Sequence, residues 1–399
     1  MAVASKLRNT LHATQGKARP MHLLCVTVLL DPVTGGGTAE RTFQLASYFT
    51  AKGHSVSVLA TDIGLTEERR QAITGAEVVG LSCLFRRFFV VEPKIGRVAA
   101  LVKRSDVIHL MGHWNLLNVM VTMLASWYRV PYVICPAGEL KLFGRSRFLK
   151  RVFNTLVGKS VVRRASGWIA ITDAEFPDFR SYGVDTSAIR ILPNGIAVDV
   201  LRAASRTAVT HHLGVVAKQF VLFMGRLNPI KGPDLLLRAF ALVAEEYPEL
   251  HLIFAGPDGG LLEALKEESA DEGLTARVHF AGYVSGADKA TLYRESLFLA
   301  IPSRHEAMSI VVLEAGAVGV PVLLTDQCGF DQVAAIEGGE VVSPDEHGLA
   351  QGMRRLLSNR SELDRMGQNL RRLVDENYSW DTIGALHESY FGSMFRVKK

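Results

Sequence analysis

Residues 219–246 read QFVLFMGRLNPIKGPDLLLRAFALVAEE. A stretch of strand length, 219–224, apolar from Phe220 onward, stops at Gly225. A loop carrying Arg226 and Lys231 follows, and Asp234–Glu246 then repeats apolar residues at helical spacing. A strand that is apolar throughout and feeds an amphipathic helix belongs to a parallel sheet covered on both faces. Working outward, further strands are expected at 250–255, 277–281, 297–301 and 321–325. Before it they are expected at 22–30, 54–60, 76–81, 106–110, 131–135, 168–171 and 188–192. Amphipathic stretches such as Thr38–Ala51 and Gly260–Glu272 lie between them. The alternation predicts an α/β fold twice over. The expected boundaries are a loose tail 1–20, a first domain 21–200, a second 201–378 and a final helix 379–399 that returns towards the first. The break falls within Pro193–His212, a stretch without strong periodicity.

The chain has 399 residues, 48% of them apolar and 21% charged, which excludes disordered and collagen-like classes. Its four cysteines are far apart, so neither a metal motif nor a disulfide framework is indicated, and a cytoplasmic setting is expected. No apolar run approaches the ~20 residues of a membrane span. The basic start followed by apolar Met21–Leu30 resembles a signal peptide, but DPVTGGGTAER stands where a cleavage site belongs. A buried strand running into a glycine turn accounts for it better. Charge is split: residues 1–200 carry 25 Lys and Arg against 14 Asp and Glu, and residues 201–399 carry 20 against 26. The first half should therefore meet an anionic partner.

Open parallel sheets bind ligands beyond the carboxyl ends of their strands, so the loops there carry the chemistry. After the first strand, Gly35-Gly36-Gly37 lets the backbone pass close to a ligand, and a following helix start offers amides to an anion. It is not a dinucleotide fingerprint, because Glu40 occupies the third glycine position. In the second half, Arg226 and Lys231 can share one diphosphate, the first as a fork and the second as a point charge. Glu306 in a loop and Glu314 in a helix could grip two ends of an extended ligand. No Asp-x-Asp occurs anywhere in the chain.

Gly225-Arg226-Leu227…Lys231-Gly232, Glu306-x7-Glu314, Gly35–Gly37 and Pro193-Asn194-Gly195 occur together with Ala255-Gly256-Pro257 and Val278–Gly282. Together they resemble family 4 glycosyltransferases of the GT-B fold, from about residue 21 to 390. The resemblance implies two Rossmann-like domains facing a cleft and a retaining, metal-independent transfer. It also implies a nucleotide-diphosphate sugar as donor, UDP- or GDP-linked and hexose-type, with no other cofactor. It implies that Arg226 and Lys231 neutralise the diphosphate, Glu314 binds the ribose and Glu306 the sugar. By the same resemblance the amides of Ala307, Met308 and Ser309 would complete the sugar pocket, those of Gly36 and Gly37 would reach the phosphates, and Gly256, Gly282 and Tyr283 would flank the nucleotide. The family's Asp-x-x-His-x-His is changed: Asp106 and His109 are present, but Met111 replaces the second His, and His113 follows two residues on. The family's His-Gly reads Ala137-Gly138, followed by Glu139. His109 and His113 are carried as catalytic candidates, His113 and Glu139 as acceptor-side ones.

Lys141–Arg164 holds eight basic and no acidic residues, interleaved with Phe143, Phe148, Leu149, Val152, Phe153, Leu156 and Val157. Such a segment reads as a helix bound to an anionic membrane surface, placing the protein peripherally on the inner face of the plasma membrane. No nucleic-acid motif accompanies the charge. The expected acceptor is a glycan or lipid-linked precursor in cell-surface polysaccharide or lipopolysaccharide assembly. The rival readings are a UDP-sugar 2-epimerase on the same fold and a non-catalytic nucleotide- or glycan-binding protein.

Overall fold

The computed structural model describes residues 19–142, 147–216 and 219–394. Most of the expected tail 1–20, Phe143 and Arg145 of the basic segment, and the end of the final helix lie outside them.

The chain forms two compact units. One holds the residues up to Gly195 together with the helix Trp380–Met394; the other is Ile196–Ser379. The break thus lies a little before the expected 200/201.

In the first unit seven parallel strands are β1 (His22–Val26), β2 (Ser55–Thr61), β3 (Glu77–Leu81), β6 (Val107–Met111), β7 (Tyr132–Cys135), β8 (Gly167–Ala170) and β9 (Ile189–Ile191). Their order is β3-β2-β1-β6-β7-β8-β9. A small antiparallel pair, β4 (Cys83–Phe85) and β5 (Val90–Val91), is an addition that the apolar pattern did not announce. β1, buried along almost its whole length, pairs with β2 and β6 in parallel register, Cys25 opposite Val58 and His109. The core gathers Leu24, Val26, Leu59, Ile108, Leu110 and Val121.

The second unit orders β12 (Val278–Gly282), β11 (His251–Ala255), β10 (Phe220–Met224), β13 (Phe298–Ile301), β14 (Val322–Thr325) and β15 (Gly339–Val342) in that sequence, all parallel. This is the doubly wound arrangement, with its switch point between β10 and β13. Leu236, Leu237, Phe240 and Val243 of the helix Pro233–Ala244 pack on this sheet with Val221, Phe223, Leu252 and Phe254. The α/β class expected from sequence is what the chain adopts.

Candidate functional site

In the second unit the loops after β10 and β13 emerge on either side of the switch point. The first brings Arg226 and Lys231, the second Glu306. Lys231 Nζ lies 2.9 Å from Glu306 Oε1, so the two residues meet across the point where the strand order reverses. The same Glu306 oxygen accepts the Ser303 hydroxyl, and the Glu306 amide donates to the Gln327 carbonyl at 2.8 Å. The Lys231 amide donates to Asn228 Oδ1 at 3.0 Å, which folds 228–231 into a tight turn. The stem of Arg226 passes close over Gly259.

Two glycines make this convergence possible. Gly232 has φ +69, and a Cβ there would lie 2.1 Å from the Pro302 carbonyl oxygen, so only glycine lets the two loops touch. A Cβ on Gly256 would lie 1.9 Å from the Gly225 carbonyl oxygen. The Gly256 amide donates to the Gly282 carbonyl at 2.7 Å, drawing the ends of β10, β11 and β12 together, with Tyr283 exposed just beyond.

Glu314 lies buried in the helix Ile310–Val318 with both carboxylate oxygens already engaged. Oε1 accepts Lys289 Nζ at 2.6 Å and Oε2 accepts the Tyr293 hydroxyl at 2.6 Å. Burial and the adjacent carboxylate hold the Tyr293 hydroxyl well above its usual pKa, so it stays a donor. Lys289 and Tyr293 escaped the sequence reading. Their four-residue spacing, which puts both on one face of the helix Gly286–Glu295, was the available signal. Ala307 is half-buried and Met308 and Ser309 are buried. The Ser309 amide donates to the Cys328 carbonyl at 3.2 Å, so it is already spent, contrary to the expectation that it faces a sugar.

The first unit requires larger corrections. A short helical turn beginning at Pro32 precedes the expected helix Thr38–Ala51; Asp31 caps it, its carboxylate accepting the Thr34 amide at 2.7 Å and its hydroxyl at 2.8 Å. Gly36 (φ 56, ψ −139) is not helical, so Gly36 and Gly37 stand at the break between that turn and the main helix. His109, expected as catalytic, is fully buried in β6 against Phe391 and His387, and neither ring nitrogen has a hydrogen-bond partner among the described residues. Burial and the nearby Arg41 charge push its pKa down to about 3, keeping it neutral. It is a core residue.

His113 is buried too, packed edge-on against Phe153 and Tyr182. Its Nε2 lies 3.0 Å from Asn154 Oδ1, and Asn154 Nδ2 donates to the Tyr182 hydroxyl at 2.6 Å. Asn154 Oδ1 can only accept, so Nε2 is the protonated nitrogen. Burial lowers the His113 pKa to about 4. Glu139, partly buried, accepts the His113 amide at 2.7 Å, and burial raises its pKa despite that bond. Together they fix the turn after β6, so His113 orders a loop and is not an exposed acid or base.

The residue that sequence reasoning missed here is Arg41, among the largest fully buried side chains. Its guanidinium donates to the carbonyls of Leu192 (2.8 Å) and Pro193 (2.7 Å) and to Asn194 Oδ1 (2.9 Å). His387 Nδ1 donates to the Ile383 carbonyl at 2.8 Å, leaving Nε2 to accept Arg41 at 3.2 Å. Pro193-Asn194-Gly195 is therefore read by a buried cation. An arginine at helical spacing among Ala39, Thr42, Leu45 and Ala46 was the signal.

Among the described residues the basic segment forms the helix Arg147–Phe153, one π turn over Asn154–Gly158, and the helix Lys159–Arg163. Arg147, Phe148, Arg151, Val152, Leu156 and Lys159 are exposed, with Phe148 at 74%. Phe153 turns inward and stacks on Phe88. The uncharged helix Leu116–Tyr128, which packs nearby, exposes Met123 and Trp127, the latter at 81%. Among the described residues no helix is long and apolar enough to cross a membrane.

Two family models match the chain: "Glycosyl transferase 4-like domain" over residues 36–195 and "Glycosyl transferases group 1" over residues 212–373. A D-inositol 3-phosphate glycosyltransferase of Gordonia bronchialis is 32% identical over 251 residues, 59% of this chain and 54% of that protein. Its Mycobacterium bovis counterpart is 36% identical over 202 residues, 49% of this chain and 41% of that protein. The chain spans about half the length of the curated relatives it matches. Among solved structures, Anabaena HepE in complex with UDP-glucose aligns with TM-score 0.77 at 19% identity, covering 94% of this chain and 100% of that one. WaaG, a glycosyltransferase involved in lipopolysaccharide biosynthesis, aligns with TM-score 0.67 at 19% identity, covering 92% and 99%. At those identities the likeness is one of fold.

Proposed function

The chain belongs to the glycosyltransferases of the group 1 and 4-like type, and we propose that it moves a hexose-type sugar from a nucleotide-diphosphate donor to an acceptor hydroxyl, with retention and without a metal. The observation that carries this is the Lys231–Glu306 pair across the switch point, with Arg226 on the same loop and Glu314 on the helix after Glu306. A cation beside the diphosphate stabilises the charge that develops as it leaves. Glu306 would accept sugar hydroxyls, and Glu314, held by Lys289 and Tyr293, would meet the ribose through its remaining lone pairs. The kinked turn at Gly36 and Gly37 would offer backbone amides to an anion. HepE binding UDP-glucose supports a uridine donor.

For the acceptor, the exposed face bearing Arg147, Arg151 and Lys159 among Phe148, Val152 and Leu156 supports a lipid-linked substrate at an anionic membrane. The inositol phosphate named for the curated relatives supports a second reading, a soluble phosphorylated polyol. A thermal-shift screen of UDP-, GDP- and ADP-sugars tests the donor, because a ligand at 100 times its Kd adds about 2.7 kcal/mol. Transfer assays with lipid-linked glycans and with inositol phosphate then separate the acceptors. A donor epimerised without any acceptor would instead indicate the 2-epimerase.

A further inference from the structure

We infer that Arg304 is a positioning residue for the donor site, an assignment that rests on the reading above. Arg304 follows β13 and does not itself belong to the cation–carboxylate set. Its Nη1 donates to the Pro229 carbonyl at 2.6 Å and to Asp234 Oδ1 at 2.8 Å, and Nη2 donates to Asp234 Oδ2 at 2.6 Å. Its own amide donates to the Ile230 carbonyl at 2.8 Å. Pro229 and Ile230 are the turn between Arg226 and Lys231. Asp234 sits in the first turn of the helix Pro233–Ala244, a fixed anchor. One planar guanidinium thus ties the tip of the Arg226–Lys231 loop to that helix start and to the loop bearing Glu306.

The geometry needs an arginine. The fork meets both carboxylate oxygens while keeping an N–H for the carbonyl, which an ammonium on a flexible stem does not do in a fixed plane. Although burial alone would raise it, the Arg304 guanidinium holds the Asp234 carboxyl below the usual range, so the fork stays charged at neutral pH. The pair is over a third exposed on the arginine side and contributes little to folding as an ion pair. Its consequence is the placement of Lys231, and displacement of a catalytic group by about 1 Å can cost on the order of 10²-fold in rate.

The test compares wild type with Arg304→Leu, Arg304→Lys, Asp234→Asn and the exchange Arg304→Asp/Asp234→Arg. It measures Tm, the Kd for UDP and GDP, and kcat and KM for hydrolysis of the donor by water. Arg304→Leu should lower kcat about tenfold or more with Tm within a few degrees of wild type. Arg304→Lys should fall between, and it carries the test should the leucine variant not fold. Asp234→Asn, which keeps the bond to Pro229, should lose less. The exchange should keep Tm near wild type without recovering kcat, because a carboxylate at 304 cannot donate to the Pro229 carbonyl. Wild-type turnover in Arg304→Leu, or turnover returning in the exchange, overturns the positioning role alone. A wild-type protein that neither binds nor cleaves any donor overturns the donor-site reading with it.

Discussion

Lys231 and Glu306 neutralise one another at 2.9 Å, and this sets what each can do when a donor arrives. A diphosphate that takes Lys231 must draw it from Glu306, releasing the carboxylate for the sugar. Glu306→Gln should therefore leave the affinity for free UDP or GDP unchanged or tighter while lowering transfer at least tenfold, the loss seen when a hydrogen-bonding group at the reacting centre is removed. Isothermal titration beside a turnover assay checks this; a weaker nucleotide Kd would mean that Glu306 does not compete for Lys231. Arg226→Ala and Lys231→Ala should each lower kcat by about 10²-fold. Glu314→Gln should mainly weaken nucleotide binding, since its carboxylate is fixed by Lys289 and Tyr293 at the far end of the motif. Equal losses for free nucleotide and intact donor in the Glu306 and Glu314 variants would contradict this division. These residues were legible because each lies in a loop or helix start directly after a strand. Lys289, Tyr293, Arg304 and Arg41 were not, because their partners are distant in the chain and only folding joins them.

At the scale of elements, strands apolar throughout their length announced themselves. β15 did not: Gly339-Glu340-Val341-Val342 is short, opens on glycine and carries a charge. What the glycine turn did not announce is the short helical turn before it: Asp31 caps residues 32–35, and non-helical Gly36 separates that turn from the main helix. The histidines of β6 and its loop misled because strand burial outweighs residue chemistry. Their burial has a pH consequence. His109 and His113, pushed down to about 3 and 4, refuse protons that the unfolded chain takes up near pH 6.5. The unfolded state then binds more protons, so stability falls as pH drops from about 6.5 towards 4. His109→Leu should flatten that fall in Tm; parallel slopes for variant and wild type would show that His109 does not titrate on unfolding. For the basic helix, Arg147→Glu/Arg151→Glu/Lys159→Glu should abolish most co-sedimentation with anionic vesicles and leave donor affinity unchanged. Binding should also weaken in high salt, where the Debye length contracts from about 8 Å towards 3 Å. Wild-type protein that ignores anionic vesicles at low salt would favour a soluble acceptor.

For the whole molecule, the two doubly wound units divide the chain at Gly195, and the last helix rejoins the first. Pro193-Asn194-Gly195, one of the motifs that carried the resemblance, is gripped by Arg41 as the chain leaves that first unit. The second unit carries the proposed donor chemistry on its own loops, so the central claim is independent of the acceptor. It is tested most directly by following a hexose donor of known anomeric configuration by NMR, in EDTA and with water as acceptor, before the released sugar mutarotates. The account predicts that an α-linked donor yields the α sugar first, that the nucleotide diphosphate leaves with it, and that Lys231→Ala suppresses both signals. A first-formed β sugar, or turnover that vanishes with EDTA and returns with a divalent cation, would contradict it.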